Sequence, residues 1–362
     1  MKIAKRYFAL AITCIVMGAG NIYAEPINVT TTDNTEVAIT EIQNKADIEL
    51  NENLAEFLVN AREVRNETLD DDDRTAQSNE VFQYLYCDEE TGTKYVYENA
   101  GGKESIATKK LSDNEIAQLN AVTTQEDSDD EDDREAYVKN TNLPGGIGGR
   151  VRIPSKGSRI SGTFVLPAQG TVKRVKTGSL FIYSGVYSNT AADMGLTWKG
   201  NLGTSGNEEG WVPAFLIDKK MISENVSDTS KPIYYKSGYD QVVYRNGYKP
   251  GTSVTFNVYP NYQKTNKFRL ELAGTAIHSN RKGEGGNTYL RTILEYSKAS
   301  SVVDYKILAT STSSDSNQFV ARIKDVKIDG VTPTNFAEAE ADNTKIIYNS
   351  RGDYTFKVGY KN

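Results

Sequence analysis

At 362 residues, 38% of them hydrophobic and 25% charged, the chain is long enough for about two domains and a sizeable buried core. One histidine and two cysteines all but exclude a structural zinc site, and the net charge of −6 acquires meaning only once it is resolved along the chain. Twenty-two tyrosines against eleven phenylalanines favour half-exposed strand faces, where a ring with a polar tip also suits a ligand platform.

Residues 1–24 read as a secretory signal peptide. Lys2, Lys5 and Arg6 precede an apolar run from Phe8 to Met17, and the small residue Ala24 sets cleavage before Glu25. That run is too short to span a bilayer and no later segment is apolar enough, so the mature chain is expected to be exported without a membrane span. Cleavage removes Cys14 and leaves Cys87 alone. An exported protein with no possible intrachain disulfide points to a bacterium, and to a Gram-positive one.

Residues 25–79 read as an acidic leader, disordered at first, that carries one amphipathic helix. Leu54, Phe57, Leu58, Ala61 and Val64 recur at steps of three and four, with Asn51 or Asn53 as the cap and an acid run from Asp70 to Asp73 at the end. Residues 80–122 read as a small α+β unit: VFQYLYC and KYVYEN form a hairpin about DEETGT, and Ser112 and Glu115 make a capping box for a short helix. So small a unit is expected to pack on something else. Residues 123–139 form an acidic linker containing EDSDDEDDRE. It lacks the glycine and spaced oxygens of an EF-hand loop, so calcium has no motif behind it and no cofactor is expected.

From residue 140 the texture becomes short β segments broken by Gly, Asn, Ser and Pro. Strands are expected over 159–166, 172–183, 194–198, 211–217, 253–259, 267–277, 289–296, 304–309, 319–328 and 354–360. The fold class is therefore mainly β, with residues 140–362 forming a jelly-roll-like β-sandwich. Gly145–Gly149 lacks the Lys-Ser/Thr of a phosphate loop and reads as a domain-entry linker. Asn349 to Asp353, despite its Arg-Gly-Asp string, reads as a hairpin turn.

Charge divides the chain. Residues 25–136 hold 9 Lys plus Arg against 30 Asp plus Glu, and residues 137–362 hold 30 against 18, giving −21 and +12. A basic exported sandwich favours an anionic polymer such as teichoic acid or polyuronate, with the acidic half either shielding it or serving solubility. Nucleic acid is not expected, because the basic residues are dispersed and no recognition motif accompanies them.

Tyr183, Tyr187, Trp198 and Trp211 lie in one turn-rich stretch and are the candidate ligand-binding residues, since sugar rings stack on aromatic side chains. A histidine base has one candidate, His278, and no Gly-x-Ser-x-Gly elbow occurs. Of the carboxylates, Glu271 and Glu295 lie on expected strands and could approach one another. No residue set points to a metal site.

Two resemblances bear on function. Arg291-Thr292-Ile293-Leu294-Glu295, Ala276-Ile277-His278 and Tyr354 to Tyr360 resemble signatures of alginate-lyase-type polysaccharide lyases. That resemblance implies β-elimination on a uronate polymer by His278, Arg291 and Tyr354, although the fragments run in reverse order and Ala276 stands where the family has Gln. The stretches 180–185, 192–196 and 211–215, together with the signal, resemble YrpD-like exported proteins of Gram-positive bacteria over roughly the last two thirds of the chain, which implies compartment and β architecture but no activity. The leading expectation is a module that binds an extracellular glycan or anionic polymer. A lyase and a structural matrix protein are the alternatives.

Overall fold

The computed structural model describes residues 27–30, 36–39, 48–68, 80–88, 93–100, 103–110, 138–140, 146–173, 179–187, 192–202, 208–217, 220–223, 246–278, 288–302, 304–312, 317–334 and 338–360. The signal segment, both acid runs and the short helix expected after Ser112 lie outside them. In chain order the elements are β1 (Ile27–Thr30), β2 (Glu36–Ile39), α1 (Ile48–Thr68), β3 (Glu80–Cys87), β4 (Thr93–Ala100), β5 (Lys103–Lys110), β6 (Val138–Asn140), β7 (Ile147–Ile153), β8 (Ile160–Val165), β9 (Leu180–Tyr187) and β10 (Ala192–Leu202). There follow β11 (Glu208–Ile217), β12 (Lys220–Ser223), β13 (Ser253–Tyr259), β14 (Phe268–Thr275), β15 (Tyr289–Tyr296), β16 (Asp304–Ser311), β17 (Phe319–Ile328), β18 (Glu338–Asp342), β19 (Thr344–Ser350) and β20 (Asp353–Val358).

The protein is mostly β. One sheet runs β1-β2-β5-β4-β3-β15-β14-β13-β8-β17-β20-β19 and the other β12-β11-β10-β9-β16-β7-β18-β6. Alternation along each strand builds the core between them. Leu180, Ile182 and Val186 of β9, Phe256 and Val258 of β13, Leu270 and Leu272 of β14 and Phe356 and Val358 of β20 belong to one buried cluster. The chain changes sheets at Asn343, a single left-handed residue (φ 43) between β18 and β19. On the opposite side Tyr248 exchanges backbone hydrogen bonds with Trp211 and bridges to Ala276, tying β11 to the end of β14.

The hairpin of β3 and β4 forms as its alternation dictates, and β3 then pairs in parallel with β15 from Tyr289↔Glu80 to Tyr296↔Cys87. The small unit and the sandwich thus share one sheet. Helix α1 buries Leu54, Phe57, Leu58, Ala61 and Val64 against Phe82, Tyr84, Tyr95, Tyr97 and Ile293. These are the stripe residues read from spacing, and each large apolar side chain so buried contributes roughly 1.5–3 kcal/mol. The helix begins at Ile48, so Asn51 and Asn53 are interior positions and neither is the cap.

Other local expectations need correction. Residues 147–153 form a buried strand where a linker was expected; a Cβ at Gly148 would sit 2.8 Å from Ala309 O, and one at Gly149 would sit 2.9 Å from Ile346 Cγ1. Glycine is there for close approach between strands. Residues 103–110 add a third strand beside the hairpin, and the strand expected from 172 begins at Leu180. Among the described residues no helix is long and apolar enough to cross a membrane.

Candidate functional site

The outer face of the twelve-stranded sheet is basic at its β17-β20-β19 end. Strand β17 alternates inward Phe319, Ala321 and Ile323 with outward Val320, Arg322 and Lys324. A bulge at Asp325, whose φ is +57°, shifts the register against β8 between Lys324 and Lys327, so these two residues share the outer face although they are three apart. Val326 turns into the core and Lys327 is exposed. On β20, Tyr354, Phe356 and Val358 point inward, leaving Thr355 and Lys357 outside. Lys345 of β19 pairs directly with Lys357, and Lys357 pairs with Val320.

The charges on this face are unequally partnered. Arg322 donates through Nε (2.7 Å) and Nη2 to the Asp353 carboxylate, which also accepts from Asn349 at 3.0 Å. The Arg322 hydrogen bond therefore holds Asp353 below the usual carboxylate value. Lys324 has Asp325 at 3.3 Å. Lys327, Lys345 and Lys357 have no carboxylate partner among the described residues. Sequence reading found the basic excess of this half but not its address, because the bulge and the β19-β20 pairing that turn these lysines to one face leave no compositional trace.

The four aromatic candidates divide between the two faces of the eight-stranded sheet. Trp198 and Trp211 are cross-strand partners on its inner face; Trp211 is fully buried and Trp198 packs half-buried on the core. Neither is an exposed stacking platform. Tyr183 points outward but is buried with Phe181, Ala214 and Leu308, its ring 4.9 Å from that of Phe181. Tyr187, at the end of the same strand, lies among three cations: the Arg150, Arg152 and Lys306 heads are 5.3, 5.2 and 4.7 Å from its ring centroid. Burial raises its phenol well above the ordinary value.

The three lyase candidates are not brought together. Arg291 pairs with Ala273, five residues before His278, which at about 3.4 Å per residue separates them by about 17 Å along the sheet. Tyr354 lies five strands from Arg291, about 24 Å at about 4.8 Å per strand. Each is engaged separately. His278 is buried with Nε2 3.1 Å from a Glu208 carboxylate oxygen, and its backbone is held by Asn246, which accepts from its N–H at 3.1 Å and donates to its carbonyl at 3.0 Å. Arg291 donates to Glu80 at 2.9 Å; burial opposes its charge, but Glu80 more than offsets this and the guanidinium holds its proton more tightly than usual. Tyr354 is pushed up to about 12 by burial, with Tyr348 adding to the rise.

Glu271 and Glu295 do approach one another, through the fully buried Arg269. Its Nε is 2.9 Å from Glu271 and its Nη1 3.4 Å from Glu295, while Glu295 also accepts from Tyr84 at 2.7 Å and Lys267 at 3.1 Å. This is a neutralised structural seam. A second buried polar chain went unnoticed in sequence: Tyr248 donates to Thr292 at 3.0 Å, Thr292 to Gln83 at 3.5 Å, and Gln83 to Glu98 at 2.9 Å. The available signal was Gln83 at an inward strand position between Val81 and Leu85. Among the described residues no group of three or more His, Cys, Asp and Glu could hold a metal ion.

Comparison with known proteins places the chain. A relative described as uncharacterized protein YrpD of Bacillus subtilis (strain 168) is 27% identical over 180 residues, which is 49% of this chain and 65% of the relative. The chain thus spans just under two thirds of that relative's length. Among solved structures, scytalido-glutamic peptidase with a peptide-based transition-state analog is matched at 13% identity and a TM-score of 0.33 over 60% of this chain and all of that one. SCP-B, of the Eqolisin family of peptidases, is matched at 11% identity with the same TM-score and coverage. Likeness at this level carries no argument about fold or activity. The family model described as a domain of unknown function, YrpD, matches residues 140–350, more than half of the chain and most of the sandwich, and the chain belongs to that family.

Proposed function

We propose that this chain is an exported bacterial protein that binds an anionic extracellular polymer on the outer face of β17, β20 and β19. The observation that carries the reading is the direct pairing of Lys345 with Lys357, with Lys327 on the same face roughly 20 Å further along β17 at about 3.4 Å per residue and none of the three given a carboxylate partner among the described residues. Like charges placed opposite one another across a sheet oppose folding, and a bound anion turns that cost into binding energy. Lysine on an edge strand deters strand addition, which accounts for Lys345 alone; Lys327 and Lys357 sit on interior strands. A row of cations on an open sheet face suits an extended polymer, drawn in by a field that salt screens.

The test uses the full chain with two probes, long-chain polyphosphate and polygalacturonate. If each of the three lysines contributes about 0.5 kcal/mol, replacing Lys327, Lys345 and Lys357 together with Gln weakens binding about tenfold. The exposed Lys264→Gln change, on a turn elsewhere, is expected to leave it unchanged. Equal affinity of the triple variant and the parent for both probes sinks the proposal.

A further inference from the structure

On the outer face of the eight-stranded sheet one lysine is almost shut off from water. The Lys306 side chain is 7% exposed, and its Nζ lies 2.8 Å from Oδ1 of Asp193. The two residues do not stand on neighbouring strands. Lys306 of β16 pairs with Gly185 of β9, and Gly185 pairs in turn with Asp193 of β10. They meet across β9 because glycine stands between them; a Cβ there would lie 2.9 Å from Asp193 Oδ1 and 3.0 Å from Lys306 Cε, besides meeting Ala192 O at 2.1 Å. Leu216 of β11 flanks Asp193 on its far side, and the Tyr187 ring centroid is 4.7 Å from Nζ.

The contact is close but is not a hydrogen bond. Asp193 Oδ1 is itself buried, and no donor is aligned to it, the near ammonium included. Burying an ammonium against an oxygen that does not take its hydrogen bond is costly, and condensation of the pair removes the charges altogether. The ammonium passes one proton to the carboxylate, and the neutral amine attacks the carboxyl carbon. A C–N bond forms, a C–O bond breaks, and the hydroxyl leaves as water with a second proton from the nitrogen, so no oxidant or other reactant is consumed. Groups held in contact by a sheet react as though highly concentrated, and Asp193, 28% exposed, leaves the water a way out. We infer that Lys306 and Asp193 are a self-modification site, where the folded chain joins itself through an amide between Nζ and the Asp193 side chain. The bond staples β10 to β16 over β9 and closes a loop containing β11 to β15. Cys87 is the one cysteine beyond the expected signal segment, so no disulfide is open to the chain for this purpose. The inference does not depend on the polyanion reading.

The experiment is mass spectrometry of the full chain, first intact under denaturing conditions and then after proteolysis. The parent is expected to weigh one water less, about 18 Da, than its sequence from the observed N-terminus, and to yield a branched peptide joining Lys306 to Asp193. Lys306→Arg and Asp193→Ala are each expected at full sequence mass with no branched peptide. Asp193→Asn is expected to restore the branch, with ammonia as the leaving group in place of water. Lys306→Arg keeps the ion pair but loses the amide, so its melting temperature is expected to fall below that of the parent. A parent of full sequence mass, with Lys306 and Asp193 recovered in separate linear peptides, overturns the inference. A loss of water that persists in Lys306→Arg overturns it as well, because the loss then lies elsewhere in the chain.

Discussion

Lys357 stands opposite Lys345, and a charge reversal there should separate stability from binding. Lys357→Glu converts a repulsive cross-strand pair into an attractive one, so it is expected to stabilise the fold by about 0.2–1 kcal/mol while weakening polyanion binding. A melting temperature that rises at low salt, by an amount that shrinks as salt is added, would agree. Glu104 offers a second residue-scale test. Burial alone would raise its carboxyl, but Arg62, together with Tyr97 donating at 2.5 Å, outweighs burial and lowers it below the ordinary glutamate value. The unfolded chain therefore binds more protons, and stability from this group is present above the ordinary glutamate value and is lost as pH falls through the lower folded value. Glu104→Gln is expected to cost about 1–3 kcal/mol near neutral pH, with the difference in melting temperature closing below about pH 4. An equal difference at every pH would contradict this.

At the scale of elements, much was legible where one face of an element is apolar. The α1 stripe from Leu54 to Val64, the β3-β4 hairpin and strands β13, β15 and β17 follow directly from spacing, because burial selects a period and the period is written in the residues. Strand β7 was not legible: Gly148 and Gly149 are there for contact with β16 and Ile346, and a sequence shows the glycines but not the neighbours. Gly148→Ala is expected to destabilise by about 1–3 kcal/mol, since its Cβ meets the backbone of Ala309 and Thr310 at 2.8 Å. Denaturant midpoints would show it. The candidate site was legible only as chemistry: a basic excess was visible, while the placing of Lys327, Lys345 and Lys357 on one face depends on a bulge and on pairing between strands. Trp211 misled because a tryptophan in a turn-rich stretch reads alike as platform or core.

For the whole molecule, the opposed charges of the two halves do not mark independent parts. β3 completes the twelve-stranded sheet by pairing with β15, and Tyr84 and Glu80 reach Glu295 and Arg291 across that seam. Removing residues 1–137 is expected to uncover the β15 edge, lower the melting temperature and promote self-association, read by light scattering; a monomer of unchanged stability would contradict it.

The most direct measurement is a lysine footprint. The full chain is acylated with and without long-chain polyphosphate, and modification is read at each lysine by mass spectrometry. The account expects Lys327, Lys345 and Lys357 to be protected and Lys264 to react as before, with protection fading as salt rises. Protection spread evenly over all lysines, or confined to residues outside β17, β20 and β19, would contradict it.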